Sequence, residues 1–517
     1  MLAWAASASA QTSVGQSTYG TAISPLDVTP QGEQQAVRRR ERPIEFRVSA
    51  LETITDNVDL QPSNLRRSDA ITRITPAVRL SYDAARARLE GDIQLPILLY
   101  ARTSRNDRVS PQVNLSGHLE AIEKLFYVDA SAYLAQSYFS AFGPTSPAIE
   151  NNPNNAYNAH TYRISPYLRS GNGDYVYELR DNNIWTNASN TPVSTDNFYT
   201  NELLGLVRRN PTPLGWSGEY RYNDLDFGNG QSQILELARA SAIMKATREL
   251  EVSASAGYEN DRLLFSHNEG AIYGVAARWR PNNRLRLDAN WEHRFFGPAY
   301  HFRLEDRTRL TVWSFEATRE ITSYPQLLGE LAAGDVSSLL DTLFTSRIPD
   351  EAERSQFIQQ FIDDRGLPQT LSGPVNIYTR QVHLEERLVG TVGLIGARNT
   401  VFLRVYRSRT EPVPGNDLVD FTLDQSTNST QVGGTVTWTH TFTPKVRFSS
   451  TIGQRYVESN DQPDVSTREL SMNARLSVSV AARTSVYGGV RYQRLRSDVF
   501  PGYDESALFA GISYVFY

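Results

Sequence analysis

From Ile44 to the C-terminus the chain repeats one pattern: about ten residues that alternate apolar and polar, then a turn or loop, then the alternation again. A period of two puts successive side chains on opposite faces of a strand. In residues 285–295, Leu285, Leu287, Ala289, Trp291 and Phe295 share one face, and Arg286, Asp288, Asn290, Glu292 and Arg294 share the other. Residues 470–480 set Leu470, Met472, Ala474, Leu476, Val478 and Val480 against Ser471, Asn473, Arg475, Ser477 and Ser479. Residues 250–259 and 432–442 alternate in the same way.

A soluble sandwich also alternates, so length and loop order decide the environment. A tilted strand needs roughly 9 to 11 residues to cross a bilayer, against about 5 to 6 in soluble sheets. Most segments here are of the longer kind. Short turns fall at residues 84–86, 123–125, 171–174, 210–213, 246–248, 281–284, 396–398, 443–445 and 481–484. Between them lie mostly longer loops, such as 139–160 and 408–430. Short turns on one side and long loops on the other are the asymmetry of outer-membrane barrels. Trp216, Tyr220, Trp279, Trp291, Phe295, Trp313, Phe315 and Trp438 gather near strand ends, where interfacial girdles lie.

These features predict an all-β fold, a closed antiparallel transmembrane β-barrel of about 22 strands, within a range of about 20 to 24. The barrel spans residues 44–517, and its surroundings are outer-membrane lipid and lipopolysaccharide. Closure is required because an open edge in lipid leaves backbone groups unsatisfied. The first strand starts, and the last ends, on the periplasmic side. In that last strand Leu508, Ala510, Ile512, Tyr514 and Phe516 keep one phase, with Tyr517 one residue past it. Tyr514, Phe516 and Tyr517 are the candidate signal for the barrel-assembly machinery. The other phase runs through Phe509, Gly511 and Val515.

The polar faces point to the lumen and mix both signs. The candidate lumen-facing residues are Arg79, Glu90, Asp92, Glu178, Arg180, Glu219, Arg221, Arg286, Asp288, Glu292, Arg294, Arg447, Arg455, Arg475 and Arg491. A hydrated pore and a graded track for a charged polymer both fit this mixture.

One stretch breaks the alternation. Residues 324–368 read as two short helices inserted between strands 310–321 and 378–395. The first carries the apolar stripe Leu339, Leu340, Leu343 and Phe344, and the second carries Phe357, Ile358, Phe361 and Ile362. The second starts at Pro349 with Asp350 and Glu351 in its first turn, and stops at Gly366 with Pro368 beyond. Parity puts this insert on the outer-face side. Its helices are expected to fold against each other and into the barrel mouth as a lid or partial plug, or else to form a docking site.

Composition narrows the classes. The chain has 517 residues, 40% hydrophobic residues and no cysteine. Its mean hydropathy is -0.43, and no apolar run is long enough for a transmembrane helix. The net charge of -5 argues against a nucleic-acid partner. The seven histidines make no metal-ligand spacing. No GxSxG, phosphate-binding or dinucleotide-binding loop is present, so no catalytic residue, cofactor or metal is expected. Ala8-Ser9-Ala10 resembles a signal-peptidase site, so residues 1–10 are expected to be a signal peptide or its truncated remnant, and 11–43 a periplasmic linker with Arg38, Arg39, Arg40 and Arg42. That linker is too short for the globular plug of an energy-coupled siderophore receptor.

The run from Glu52 to Leu60, ETITDNVDL, resembles the opening of the outer-membrane proteins associated with the PEP-CTERM/exosortase system. The stretch Ser346-Arg347-Ile348-Pro349-Asp350, continuing from Phe357 to Pro368, resembles that family's insert. The resemblance implies a porin-like barrel that moves exopolysaccharide, or a protein tied to it, together with export proteins as partners. A general diffusion porin for small solutes and a structural or docking barrel closed by its insert remain the alternatives.

Overall fold

The computed structural model describes residues 44–516 apart from 147, 152–154, 172–173, 190–196, 228–231, 330–334, 346, 369, 377–381 and 415–427. The expected signal peptide, the linker with its arginines, and Tyr517 therefore lie outside the described residues.

Every strand pairs antiparallel with its sequence neighbours. The first, Ile44–Thr55, also pairs with the last, Tyr503–Phe516, from Phe46 opposite Phe516 to Thr55 opposite Ala507. The sheet therefore closes on itself. It contains 24 ladder segments, but two crossings are each made of two segments. Ala87–Gln94 and Ile97–Tyr100 both pair with Asp69–Ala84. Arg108–Val109 and Gln112–Ile122 continue one another in the same way. The breaks fall at Pro96 and Pro111, which have no N–H to give to a ladder. Subtracting two from 24 leaves 22 crossings, the number that the alternation predicts.

The faces are inverted relative to a soluble barrel. Outward residues are apolar and exposed, for example Val275, Trp313, Val405 and Leu508. Inward residues such as Arg475, Arg491 and Glu505 are buried. An apolar outer belt around a polar interior is the arrangement that a bilayer selects. Trp216, Trp279 and Trp313 lie outward near the short-turn ends of their strands, and Trp185 and Trp291 near the long-loop ends. In the last strand Leu508, Ile512, Tyr514 and Phe516 face outward while Phe509 is buried inward, so the first of the two phases is the one adopted. Phe295 departs from expectation. Its strand, Leu285–Arg294, has already ended, and it packs against buried residues rather than facing out.

Twenty-two strands about 4.8 Å apart and tilted about 40° enclose a ring roughly 40–45 Å across. Eight strands are already enough for side chains to fill the interior, so this ring needs more than side chains. Two chain segments enter it. One is the loop 139–155. The other is the insert, which has three helices where the sequence indicates two: α1 (Tyr324–Gly329), α2 (Asp335–Phe344) and α3 (Glu351–Arg365). α3 starts two residues later than its Pro349 signal suggests, because Asp350 is its cap. The Asp350 side chain accepts from the Glu353 N–H at 2.8 Å. Gly366 ends the helix at φ 59°, a left-handed conformation that suits glycine. The flanking strands are Thr311–Thr322 and His383–Ile395, so the latter starts later than expected. Residues 377–381 lie outside the described residues.

Candidate functional site

The insert leaves the wall at the long-loop end, directly after Thr322, and α1 lies just inside that end. Tyr324 packs there with Phe139, Tyr157, Phe198 and Phe227 in one buried aromatic cluster, and its hydroxyl meets that of Tyr157. α2 and α3 lie at the opposite end. Arg347 of the insert donates to the Arg309 carbonyl, in the short turn before Thr311–Thr322, at 3.1 Å. Arg365 donates to the Gly396 carbonyl, in the next short turn but for one strand, at 2.8 Å. The chain then climbs back. The Leu371 carbonyl accepts from Arg404 at 2.9 Å, and Val375 exchanges hydrogen bonds of 2.9 Å with Gln431, near the long-loop end. The insert thus runs down the lumen and back up, where the sequence suggested a position at the mouth.

Its seating has an apolar and a polar part. Leu339, Leu340, Leu343 and Phe344 of α2 are buried, as are Ile358 and Ile362 of α3. With Val336, Leu367 and Leu371 they pack on Val312, Ile395 and Phe402 of the wall. Phe361 is partly buried against this cluster, and Phe357 is exposed although it packs edge-to-face with Phe344. The polar part is mostly arginine. Arg307 of the wall donates to the Thr342 carbonyl in α2. Arg79 pairs with Asp363, Arg88 donates to the Ser355 hydroxyl at 2.6 Å, and Arg447 donates to the Asp364 carbonyl. Arg79 and Arg88 stand on the second and third crossings. α2 rests on the fourteenth and fifteenth, Gly297–Arg307 and Thr311–Thr322. These positions are diametrically opposed in a ring of 22, so α2 and α3 together span the lumen.

The loop 139–155 folds inward at the other end and is held to the wall in the same polar way. Arg108 donates to the Ile149 carbonyl at 2.6 Å, Thr467 donates to the Phe142 carbonyl at 3.1 Å, and Arg491 donates to Asn151 at 3.2 Å. Glu150 is fully buried between Arg73, at 3.1 Å, and Arg491, at 3.8 Å. Burial opposes its ionisation, but the two guanidiniums outweigh burial and hold the carboxyl below its ordinary value. Sequence reading treated this segment as an ordinary polar loop. Its apolar content, Phe139, Ala141, Phe142, Ala148 and Ile149, was the available signal.

The other candidate lumen residues lie on inward faces, mostly in ion pairs. Asp92 pairs with Arg79 at 3.1 Å and Glu90 with Arg88 at 3.5 Å. Glu178 meets Arg180 at 3.0 Å, and Arg180 reaches Asp129 at 2.9 Å. Arg286 meets Asp288 at 2.5 Å, Arg294 meets Glu259 at 2.6 Å and Arg455 meets Glu469 at 2.6 Å. Arg491 meets Glu505 at 2.7 Å, and Arg475 lies 3.8 Å over the Tyr487 ring. Glu219 is held at 2.7 Å by both Arg221 and Arg239. Arg239, absent from the sequence-level set, also reaches Glu292, three strands away. Glycines clear its path: Gly257 stands opposite Arg239 and Gly274 opposite Glu292. A Cβ on Gly274 would lie 2.6 Å from Glu292 Cγ. Among the described residues no group of three or more acidic or histidine side chains is placed to hold a metal ion.

No family model and no curated protein sequence matches the chain. Solved outer-membrane proteins match it at low identity. The FrpB iron transporter of Neisseria meningitidis is 7% identical with a TM-score of 0.47, over 94% of this chain and 83% of that one. The siderophore receptor PirA of Pseudomonas aeruginosa is 9% identical with a TM-score of 0.43, over 93% and 81%. OccK5 of the same organism is 10% identical with a TM-score of 0.29, over 92% and 98%. The fold assignment rests on the strand pairing itself.

Proposed function

We propose that the chain is a Gram-negative outer-membrane channel protein whose path is closed by its own insert, and that it serves the export of exopolysaccharide. The short turns then face the periplasm and the long loops face outward. The observation that carries the channel reading is the route of the insert. A segment that crosses the lumen from wall to wall, held partly by hydrogen bonds and ion pairs, is a removable obstruction.

The cargo is supported by the resemblance at residues 52–60 and 346–368 to barrels of the PEP-CTERM/exosortase system. It is also supported by a ring wide enough for a polymer once the insert moves. A constitutively open diffusion porin fits less well, because α2 and α3 together span the lumen. A permanently closed structural barrel has one observation in its favour, the complete burial of Leu340 and Ile362.

Deleting residues 326–367 and recording single-channel conductance in planar bilayers tests the plug. Conductance should rise, and an unchanged conductance would count against it. A chromosomal knockout scored for secreted polysaccharide tests the cargo. Normal secretion with altered uptake of small solutes would identify a general porin instead.

A further inference from the structure

Beneath α1, on the side of the lumen away from the loop 139–155, lies a cavity of ≈ 120 Å³. That is about ten times the ~10–15 Å³ a single water needs. Gln326 and Leu327 of α1 form part of its lining, and its walls come from strands between Tyr175–Ser189 and His383–Ile395. Its ionisable lining is unbalanced. The carboxylates of Glu202, Asp261, Glu316, Glu320 and Glu385 face three arginines, Arg221, Arg294 and Arg387.

Those arginines are already engaged. Arg221 holds Glu219 at 2.7 Å and Arg294 holds Glu259 at 2.6 Å, and neither of these glutamates lines the cavity. Arg387 is bonded to Glu385 at 3.0 Å, and Arg303 sits on Glu316 at 3.3 Å. Among the described residues Glu202 receives only amides, from Gln326 at 2.8 Å and Asn182 at 3.2 Å. Among the described residues no side chain donates a hydrogen bond to Glu320, and the cations that act on it, Arg221 and Arg387, each serve another glutamate.

Two orphaned acceptors point the same way. Asn223 is 8% exposed and its Oδ1 has no hydrogen-bond partner. Asp261 is fully buried. Its Oδ1 accepts from the Glu236 N–H, but among the described residues its Oδ2 accepts no hydrogen bond and has only Arg294 at 3.9 Å. A buried acceptor left without a donor costs about 1–3 kcal/mol, so the cavity has fewer N–H donors and positive charges than its acceptors call for. Ile321, Leu327 and Val389 supply apolar wall between the carboxylates.

We propose that this cavity binds a small organic cation with several N–H groups on a short hydrocarbon frame, of the polyamine or alkylguanidine class. Its ammonium or guanidinium groups meet Glu320, Asp261 and Asn223, and its methylenes lie against Ile321 and Leu327. Because Gln326 bonds to Glu202, the occupant also touches the first helix of the insert.

The test is calorimetric titration of the full chain in a non-ionic detergent with spermidine and with agmatine, and with glucose and glucuronate as controls. At least one cation should bind saturably at one site, and Glu320→Gln should weaken it tenfold or more. Glu123→Gln, in an exposed turn, should not change it, which separates the cavity from general attraction to an acidic protein. Should Glu320→Gln fail to assemble, as judged by heat-dependent gel mobility, Asn223→Ala supplies the same comparison. Absence of binding by both cations, equal affinity in the cavity variant, or equal binding of glucuronate would overturn the proposal.

Discussion

Phe402 is the point at which the insert can be loosened without altering the insert. It stands on the inner face of Asn399–Pro412, is 1% exposed, and packs with Val312 and Ile395 against α2, α3 and Leu371. Truncating a buried phenylalanine to alanine costs about 3–5 kcal/mol. The strand ladder of Phe402 with its neighbours is backbone-made and stays intact, so most of that loss falls on the contact between wall and insert. At about 1.4 kcal/mol per decade, the undocked fraction should rise by about two to four orders of magnitude. The assay is paired. Single-channel recording in planar bilayers should show openings that the parent rarely makes. Limited proteolysis should cut between residues 330 and 368 in the variant and spare the parent. The reasoning fails if proteolysis shows the insert released while conductance stays at the parent level, because the insert would then not be what closes the path.

Three further outcomes follow from the geometry. Gly274→Val would put side-chain atoms where Glu292 Cγ stands and break the Arg239–Glu292 pair, so the temperature at which the folded barrel loses its gel mobility should fall, while Gly270→Val, with open space around it, should matter less. The Glu150 carboxyl is held below its ordinary value, so its contribution to loop docking is complete above the ordinary glutamate range near about 4.3 and is lost as pH falls through the lowered value. Proteolysis within 139–155 should therefore increase on acidification below about pH 4, and Glu150→Gln should abolish that dependence. Removing Phe516 and Tyr517 together should impair assembly in vivo more than removing Tyr517 alone, because Phe516 belongs to the outward phase and packs edge-to-face with Tyr514, ring centres 4.8 Å apart. Equal defects would refute that assignment.

The barrel was legible because its signal is local. Alternation such as that of Leu470 to Val480 states which side chains face lipid, and the parity of short turns states which strand ends belong together. The signals of α3 were local too, an Asp at the cap and a Gly at the end. α1 is six residues long and contains Pro325, so it leaves no periodic trace. The depth of the insert was not legible, since the stripe Leu339, Leu340, Leu343 and Phe344 states that something must cover it and not what. Val312, Ile395 and Phe402 cover it, and they look like any inward-facing apolar residues in their strands. The charge pairs show the same division. Arg221 and Glu219 sit two apart and were readable as a mixed luminal face. Arg239 and Glu292 meet only after three strand registers and two glycines are in place.

The two kinds of contact around the insert have unequal weight, and this bears on how the channel would open. The polar contacts, such as Arg88 to Ser355 and Arg347 to the Arg309 carbonyl, can be exchanged for water when the insert leaves. Each is therefore worth on the order of 1 kcal/mol or less. The helices can leave as a pair, so apolar contacts between α2 and α3 are kept as well. What is lost is the burial of Val312, Ile395 and Phe402 with the faces they cover, about 1.5–3 kcal/mol for each wall residue, or about 5–9 kcal/mol in total. A gap of that size leaves roughly one barrel in 10⁴ or fewer open at rest. Moving such an equilibrium to mostly open needs a ligand or partner that prefers the open state by more than about 5.5 kcal/mol. Thermal motion alone does not provide it, and the arginine contacts set where the insert sits more than how firmly. On the proposed reading, a channel of this design is closed by default and opened by binding, so a purified barrel with an intact insert should open rarely until such a binder is supplied.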